Sequence, residues 1–150
     1  MSPTRRRNPR SIERSDAGRF ASLPPKSAWP MTLSRGAPYD YSRSANGLAF
    51  TAGACPLDVN GDVVAPDDLL GQAERAAENL LAALVDAGLA AESLLKTTIY
   101  VVARERTNLP RVWNVVSERL GRAPSTLLGI SFLGYPGQLV EIEAVAEGNP

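Results

Sequence analysis

The chain has 150 residues, of which 44% are apolar, and its 16 basic residues balance its 16 acidic residues. This length and composition predict one globular domain with its own hydrophobic core. The sequence contains no histidine and a single cysteine, Cys55. These counts exclude Ser-His-Asp or Cys-His catalysis within one chain, an intrachain disulfide and a Cys/His zinc site. We therefore expect neither a metal nor another cofactor.

The single cysteine is typical of a protein from a reducing compartment. No apolar run approaches the roughly 18 residues that a membrane-spanning helix requires. The arginine-rich start of the chain lacks the apolar stretch of a secretory signal. We expect a cytoplasmic protein that does not enter the membrane.

Residues 1–36 are rich in arginine, proline and serine, and they show neither helical nor strand periodicity. They carry eight basic and two acidic residues, whereas residues 37–150 carry eight basic and 14 acidic residues. We predict a flexible basic arm over 1–36 and one domain over 37–150. A basic arm is typical of a nucleic-acid contact or of a solvated tail. The acidic domain argues against nucleic acid as a partner, because binding to phosphates needs clustered cations.

The first half of the domain predicts two extended segments and a helix. Residues 47–56, "GLAFTAGACP", form a short apolar run between glycines and predict a strand. Asn60-Gly61 predicts a tight turn within 57–66, in a hairpin or an extended loop. Over 67–88, apolar residues recur at steps of three and four, which predicts a long amphipathic helix. Asp67 or Asp68 would cap its start, and Gly88 would end it.

The second half predicts three strands and a second helix. Strands are expected over 94–103, 125–134 and 138–147, and a helix over 108–121 with Pro110 in its first turn. The order β-β-α-β-α-β-β predicts an α+β sandwich with both helices on one face of a mixed sheet. The last strand alternates strictly, so that Glu141 and Glu143 would lie on the other face among apolar residues. That pattern favours either a wet face or a subunit interface containing a polar site.

Several segments between Pro38 and Glu147 resemble the RidA (YjgF-type) family in the same order. They are "PYDYSRS" (38–44), "FTAGACPLD" (50–58), "QAERAAENLLAAL" (72–84), "LLKTTIYVVA" (94–103), "VWNVV" (112–116) and "LVEIEAVA" (139–146). The resemblance implies a chorismate-mutase-like fold and a homotrimer with three clefts between subunits. It also implies hydrolysis of imines or enamines, such as 2-aminoacrylate, to a 2-keto acid and ammonia. Members of this wider family also carry the label endoribonuclease.

The resemblance assigns most of the cleft residues to positions in this chain. The clefts of the family use a tyrosine, a strand glycine, an asparagine, an arginine and a glutamate. By resemblance, Tyr39, Gly53 and Asn114 would bind the ligand, and Glu141 would position or activate water. The alternative is that Glu141 is a structural acceptor for backbone amides or for a neighbouring subunit.

The arginine is the departure from the family. Its position falls on Ser125 in "APST" (123–126), and the next hydroxyl is kept as Thr126. We predict that Ser125 and Thr126 line the cleft, although a serine offers one neutral donor where a guanidinium holds a carboxylate with two charge-assisted bonds. Arg43, Arg104 and Arg122 are candidate replacements. Neither hydroxyl is expected to act as a nucleophile, because no histidine is present to activate it.

Three functions remain open from the sequence. The first is an imine or enamine hydrolase whose substrate is not clamped by the usual arginine, with altered or weak activity. The second is a non-catalytic trimer that binds a small molecule or regulates. The third is an RNA-interacting protein. Cys55 is expected to be a buried and unreactive thiol rather than a reactive one.

Overall fold

Two helices cover one face of a five-stranded mixed sheet. The structure is a computed structural model, and it describes residues 33–148. The strands are β1 Ser42–Ala45, β2 Leu48–Thr51, β3 Leu94–Val102, β4 Ser125–Ile130 and β5 Val140–Glu147. The helices are α1 Leu69–Asp86 and α2 Asn108–Leu120, with one 3-10 turn at Ala91–Ser93. The predicted α+β sandwich is confirmed. Most of the predicted arm lies outside the described residues, and the boundaries of the arm and the domain stay a prediction.

The order of the strands in the sheet is β1-β2-β5-β3-β4. All neighbours are antiparallel except β3 and β4, which run parallel because α2 forms the crossover between them. The last strand therefore lies in the middle of the sheet, and β4 lies at one edge. This arrangement puts β3 between the two strands that carry Glu141 and Ser125.

Helix α1 follows the predicted pattern closely. The Asp68 carboxylate caps its start by accepting a hydrogen bond of 2.9 Å from the Gly71 backbone N–H. Gly88 ends the helical segment with a φ of 75°, a conformation that glycine adopts without steric cost. Leu80 and Leu84 are fully buried against the sheet. The helix ends two residues before the predicted boundary.

The first hairpin differs from the prediction. Its turn is Asn46-Gly47, where both residues have positive φ values of 53° and 73°, as a two-residue hairpin turn of the primed type requires. The strand predicted over 47–56 ends at Thr51, because the chain then leaves the ladder and keeps only a single bridge from Ala54 to Ile142. The prediction was therefore wrong in the extent of this strand, and the sequence analysis did not predict a hairpin at Asn46-Gly47.

The Asn60-Gly61 turn belongs to a loop rather than to a regular hairpin. Only one bridge, between Leu57 and Val63, joins its two sides in the described structure. The Asp58 carboxylate stabilises the loop by accepting from the backbone N–H groups of Asn60 and Asp62 at 2.9 and 3.0 Å. The extended-loop alternative therefore applies.

The two C-terminal strands are shorter than predicted, but their pattern is correct. The strand predicted over 125–134 ends at Ile130, and the following turn holds Phe132 with 84% of its surface exposed. In β5, Val140, Ile142, Ala144 and Ala146 are buried beneath the helices. The carboxylates of Glu141 and Glu143, which alternate with these residues, project from the opposite side of the sheet. We call this side the open face.

The open face combines large apolar side chains with a few polar ones. Phe50 and Leu128 are 49% and 41% exposed there. Phe50 lines a shallow depression together with Lys96 and Glu143, and Glu143 accepts a hydrogen bond of 2.8 Å from the Tyr100 hydroxyl. Across residues 33–148, neither helix has the length and apolar character needed to span a membrane.

Candidate functional site

Gly53 and Glu141 lie in direct contact where the chain leaves β2. Ala54 exchanges two backbone hydrogen bonds with Ile142, of 2.7 and 3.2 Å, and this bridge holds residues 53–55 alongside β5. A Cβ atom built on Gly53 would lie only 2.0 Å from Glu141 Oε1. Only glycine therefore allows the carboxylate to lie against the backbone at this point.

The two oxygens of Glu141 have different surroundings. Oε2 accepts a hydrogen bond of 3.0 Å from Gln138 Nε2 and one of 3.4 Å from Cys55 Sγ. No group within residues 33–148 donates a hydrogen bond to Oε1. The carboxylate is thus held through one oxygen only.

Cys55 acts as a donor in this group. Burial, followed by the nearby Glu141 carboxylate, raises the pKa of the thiol to about 12. The thiol therefore keeps its proton at neutral pH and cannot serve as a thiolate nucleophile. This supports the prediction of an unreactive cysteine, and it explains how the thiol can approach a carboxylate.

A pocket opens beside Gly53 and Cys55, with Tyr39 and Tyr41 on its other side. The rings of the two tyrosines meet edge to face, with centroids 5.9 Å apart. Burial and a hydrogen bond with Tyr135 raise the pKa of Tyr39, so its hydroxyl stays neutral. Since Tyr39 is still 40% exposed, part of its side chain remains accessible at the pocket.

Helix α1 supports the 55–57 segment through side chains that the sequence analysis did not identify. Asn79 Nδ2 donates to the backbone carbonyl oxygens of Cys55 and Leu57 at 2.7 and 3.0 Å. Arg75 Nε donates to the same Leu57 oxygen at 2.9 Å. These bonds satisfy carbonyls that no strand partner reaches, and they fix the backbone on which the thiol sits.

A third polar side chain of α1 holds the other side of the site. Gln72 Nε2 donates to the Gly137 carbonyl at 2.9 Å, and its Oε1 accepts from the Leu139 N–H at 2.7 Å. Gln72 is fully buried. The sequence does contain a pattern that could have identified these residues. Gln72, Arg75 and Asn79 are spaced by three and four residues and form a polar row next to the apolar face of the helix. Such a row is commonly attributed to solvent exposure, and the apolar pattern alone does not reveal its contacts.

The structure does not bring Ser125 or Thr126 to Glu141 within one chain. Both belong to β4, and β3 separates them from β5. The Ser125 hydroxyl lies 2.6 Å from Thr97 Oγ1 and donates to the Ala123 carbonyl at 2.7 Å. Thr126 lies on the open face and accepts a hydrogen bond of 2.5 Å from Lys96 Nζ.

The remaining candidates are dispersed. Asn114 is exposed on α2 and does not line the pocket beside Tyr39. Arg43 forms an exposed ion pair of 2.8 Å with Asp40, and Arg104 and Arg122 are exposed in loops. None of these arginines contacts Glu141 within the chain. The described residues contain no cluster of three or more His, Cys, Asp or Glu side chains that could hold a metal ion.

Fold and site together define a class of small α+β protein in which a glutamate of the central strand lies against a strand-end glycine. The family described as "Endoribonuclease L-PSP" matches residues 32–148. The chain therefore belongs to this family, to which the RidA (YjgF-type) proteins that it resembles also belong.

Individual proteins are similar to this chain over most of its length. A RutC family protein of Pyrococcus abyssi is 26% identical over 110 residues, which cover 73% of this chain and 85% of that protein. A solved structure of YyfA, a Yersinia pestis protein of the conserved Rid family, is 27% identical with a TM-score of 0.66, covering 73% and 87% of the two chains. The structure of Escherichia coli TdcF with bound serine is 23% identical with a TM-score of 0.66, covering 79% and 94%.

Proposed function

We propose that this protein binds small molecules at Glu141 and hydrolyses imines or enamines there. The observation that carries the proposal is the asymmetry of the Glu141 carboxylate. Its Oε2 is occupied by Gln138 and Cys55, while its Oε1 lies against Gly53 without a donor from the described chain. A carboxylate held in this way is suited to accept a proton from water or from an amino group.

The proposed reaction needs only water as co-reactant. Glu141 Oε1 accepts a proton from a water molecule as the water oxygen bonds to the imine carbon. The resulting carbinolamine receives that proton on its nitrogen. The C–N bond then breaks, the hydroxyl oxygen forms the C=O bond, and its proton leaves with the departing ammonia. An enamine enters the same path after its tautomer, the imine, has formed.

The complete cleft would require a neighbouring subunit. We propose a homotrimer in which β4 of one protomer approaches Glu141 and Tyr39 of the next. Two observations support it: β3 separates Ser125 from Glu141 within one chain, and the open face leaves Phe50 and Leu128 uncovered. Exposed apolar side chains that share one sheet face are typical of an interface.

The substrate would lack a strong carboxylate clamp. Ser125 occupies the position of the family arginine, and its hydroxyl already bonds to Thr97 and Ala123. Charge-assisted hydrogen bonds contribute about 1.5–3 kcal/mol, against about 1 kcal/mol for neutral ones. Serine bound to TdcF supports an amino-acid-sized ligand. We therefore propose weak or altered activity on amino-acid-derived enamines such as 2-aminoacrylate.

The direct test measures release of the keto acid from 2-aminoacrylate or iminopropionate generated in situ. We expect the wild-type protein to accelerate release above the rate in buffer, and Glu141→Ala to abolish the acceleration. Glu147→Ala is the matched control, because Glu147 is an exposed carboxylate on the same strand. No acceleration by the wild-type protein, or full activity in Glu141→Ala, would overturn the proposal.

A non-catalytic binding protein is the second candidate function. Two facts about Ser125 favour it. A serine, which carries no charge, stands where the resemblance expects the family arginine, and its hydroxyl is already bonded to Thr97 and Ala123. Calorimetric titration with serine distinguishes the two functions when turnover is measured in parallel. Binding that Glu141→Ala abolishes, without turnover of any imine, would favour the binding protein.

RNA binding is disfavoured, because residues 37–150 carry 14 acidic and only eight basic residues.

A further inference from the structure

We propose that Gln138 and Cys55 are positioning residues for Glu141, which hold its Oε2 so that Oε1 is the single oxygen presented to the substrate. This inference rests on the proposed function and extends it to two residues that the resemblance does not assign to the cleft. Both side chains reach the same carboxylate oxygen from different elements: Gln138 from the turn before β5, and Cys55 from the segment after β2.

The orientation of the Gln138 amide is determined by its neighbours. Its Oε1 accepts from the Tyr135 backbone N–H at 3.2 Å, so its Nε2 must point the other way. There Nε2 donates to the Val140 carbonyl at 3.2 Å and to Glu141 Oε2 at 3.0 Å. Only 3% of Gln138 is exposed. Since both donor hydrogens and the acceptor are engaged, the side chain cannot rotate without losing a buried bond.

The thiol supplies the second contact with Oε2. Cys55 Sγ lies 3.4 Å from Glu141 Oε2 and 3.6 Å from the Gly53 carbonyl oxygen, and both of these atoms are acceptors. The one S–H hydrogen must therefore serve both contacts, shared between the two acceptors. A protonated thiol between two acceptors is a weak donor whose position is set by the buried backbone of residues 53–57.

Two fixed donors on one oxygen restrict the rotation of the carboxylate. With Oε2 held, rotation about the terminal bond of Glu141 would break one or both contacts. Oε1 consequently keeps one direction relative to Gly53 and the pocket. Because reaction rates depend steeply on the placement of the reacting groups, loss of either donor should lower kcat more than it changes KM.

The kinetic test uses the full chain with paired substitutions. We expect Gln138→Leu to lower kcat by about tenfold or more, with little change in KM. Cys55→Ala should lower kcat several-fold, whereas Cys55→Ser, which keeps a donor, should stay within about twofold of wild type. If Gln138→Leu and Cys55→Ala both keep wild-type kcat, or if serine rescues no better than alanine, the inference is wrong.

A spectroscopic test is independent of turnover. The chain has one cysteine, so its S–H stretching band in the infrared belongs to Cys55 alone. A hydrogen bond to Glu141 lowers the frequency of this band, and Glu141→Ala should raise it, whereas Glu147→Ala should leave it unchanged. An unchanged band in Glu141→Ala would overturn the contact. If the wild-type protein hydrolyses no imine, the proposed function fails, and this band still decides whether the thiol bonds to the carboxylate.

Discussion

Ser125 and Thr97 share a hydrogen bond of 2.6 Å between their hydroxyls across the parallel strands β3 and β4. Ser125, which the resemblance aligns with the family arginine, is therefore attached to its own sheet. Ser125 is nevertheless exposed at the edge of the sheet, so a longer side chain has room to extend away from Thr97.

We expect Ser125→Arg to increase turnover of 2-aminoacrylate, because a guanidinium there would restore a bidentate partner for the substrate carboxylate. The gain should disappear in Ser125→Arg/Glu141→Ala. Ser131→Arg is the control, since it adds the same charge at an exposed position just after β4. A well-folded Ser125→Arg protein without increased turnover would refute the clamp explanation.

Gly53→Ala should displace the Glu141 carboxylate. The new methyl group would lie 2.0 Å from Oε1 in the present arrangement, so the carboxylate must move. We expect a large loss of imine hydrolysis and a decrease of about 1–3 kcal/mol in the free energy of unfolding. Gly134→Ala is the matched control, because no atom outside its immediate neighbours lies within 4 Å of a Cβ there. Equal activity of the two variants would contradict the proposed contact.

The Cys55 thiol should resist modification in the folded protein. With a pKa raised to about 12, only about one molecule in ten thousand carries the thiolate at pH 8. We expect a disulfide reagent to react stoichiometrically in urea and only very slowly under native conditions. Rapid reaction of the native protein would contradict the described environment of the thiol.

The same thiol predicts a pH dependence of stability. Its folded-state pKa lies above the unfolded value of 9.0, so the unfolded chain loses its proton first as the pH rises. Stability contributed by the neutral thiol is therefore present below about pH 9 and is lost between about pH 9 and 12. The free energy of unfolding of wild type relative to Cys55→Ala should fall over this range, and a flat difference would contradict the raised pKa.

Glu78 predicts a dependence of the same sign as that of Cys55, but at acid pH. Burial between the helices raises the pKa of its carboxyl, and Arg119, 3.4 Å away, only partly offsets this effect. The charged form is therefore costly in the folded state at neutral pH. Glu78→Gln should be at least as stable as wild type at pH 7, and wild type should gain stability relative to it as the pH falls. Chemical denaturation at several pH values tests this, with the exposed Glu118→Gln as control.

Leu128→Asp should break the proposed trimer. Leu128 is 41% exposed on the open face, and a carboxylate there would have to lose its water in an interface. Sedimentation equilibrium should report three chains for wild type and monomers for the variant. Val85→Asp, at a more exposed apolar position on α1, should remain trimeric. A monomeric wild-type protein would remove the support for a cleft between subunits.

The periodic parts of the sequence predicted the fold well. Alternation in β5 and the apolar face of α1 identified which side chains meet in the core, because burial imposes these periods directly. The hairpin at Asn46-Gly47 was not predicted, although its dipeptide is the same as that of the Asn60-Gly61 turn. Local turn chemistry does not determine which of two such turns has strands to join.

The site was predictable only in part. The resemblance named Tyr39, Gly53 and Glu141 as candidates, and their function stays a prediction. Tyr39 and Gly53 line the same pocket, and Glu141 lies against Gly53. The hydrogen bonds of Gln138 and Asn79 were not predicted, because their acceptors are carboxylate and carbonyl groups that come close only after folding. Long-range hydrogen bonds of this kind leave no periodic signal in a single sequence.

Helix α1 also sets the width of the site. Gln72 holds the backbone of residues 137–139, and Asn79 holds that of residues 55–57. Their seven-residue separation corresponds to about 10 Å along the helix axis and to nearly two complete turns, so both side chains leave the same side. Inserting or deleting one residue between them would rotate one anchor by about 100° relative to the other. The helix is thus a rigid spacer of fixed length, and this segment of the chain cannot change in length while both loops stay attached.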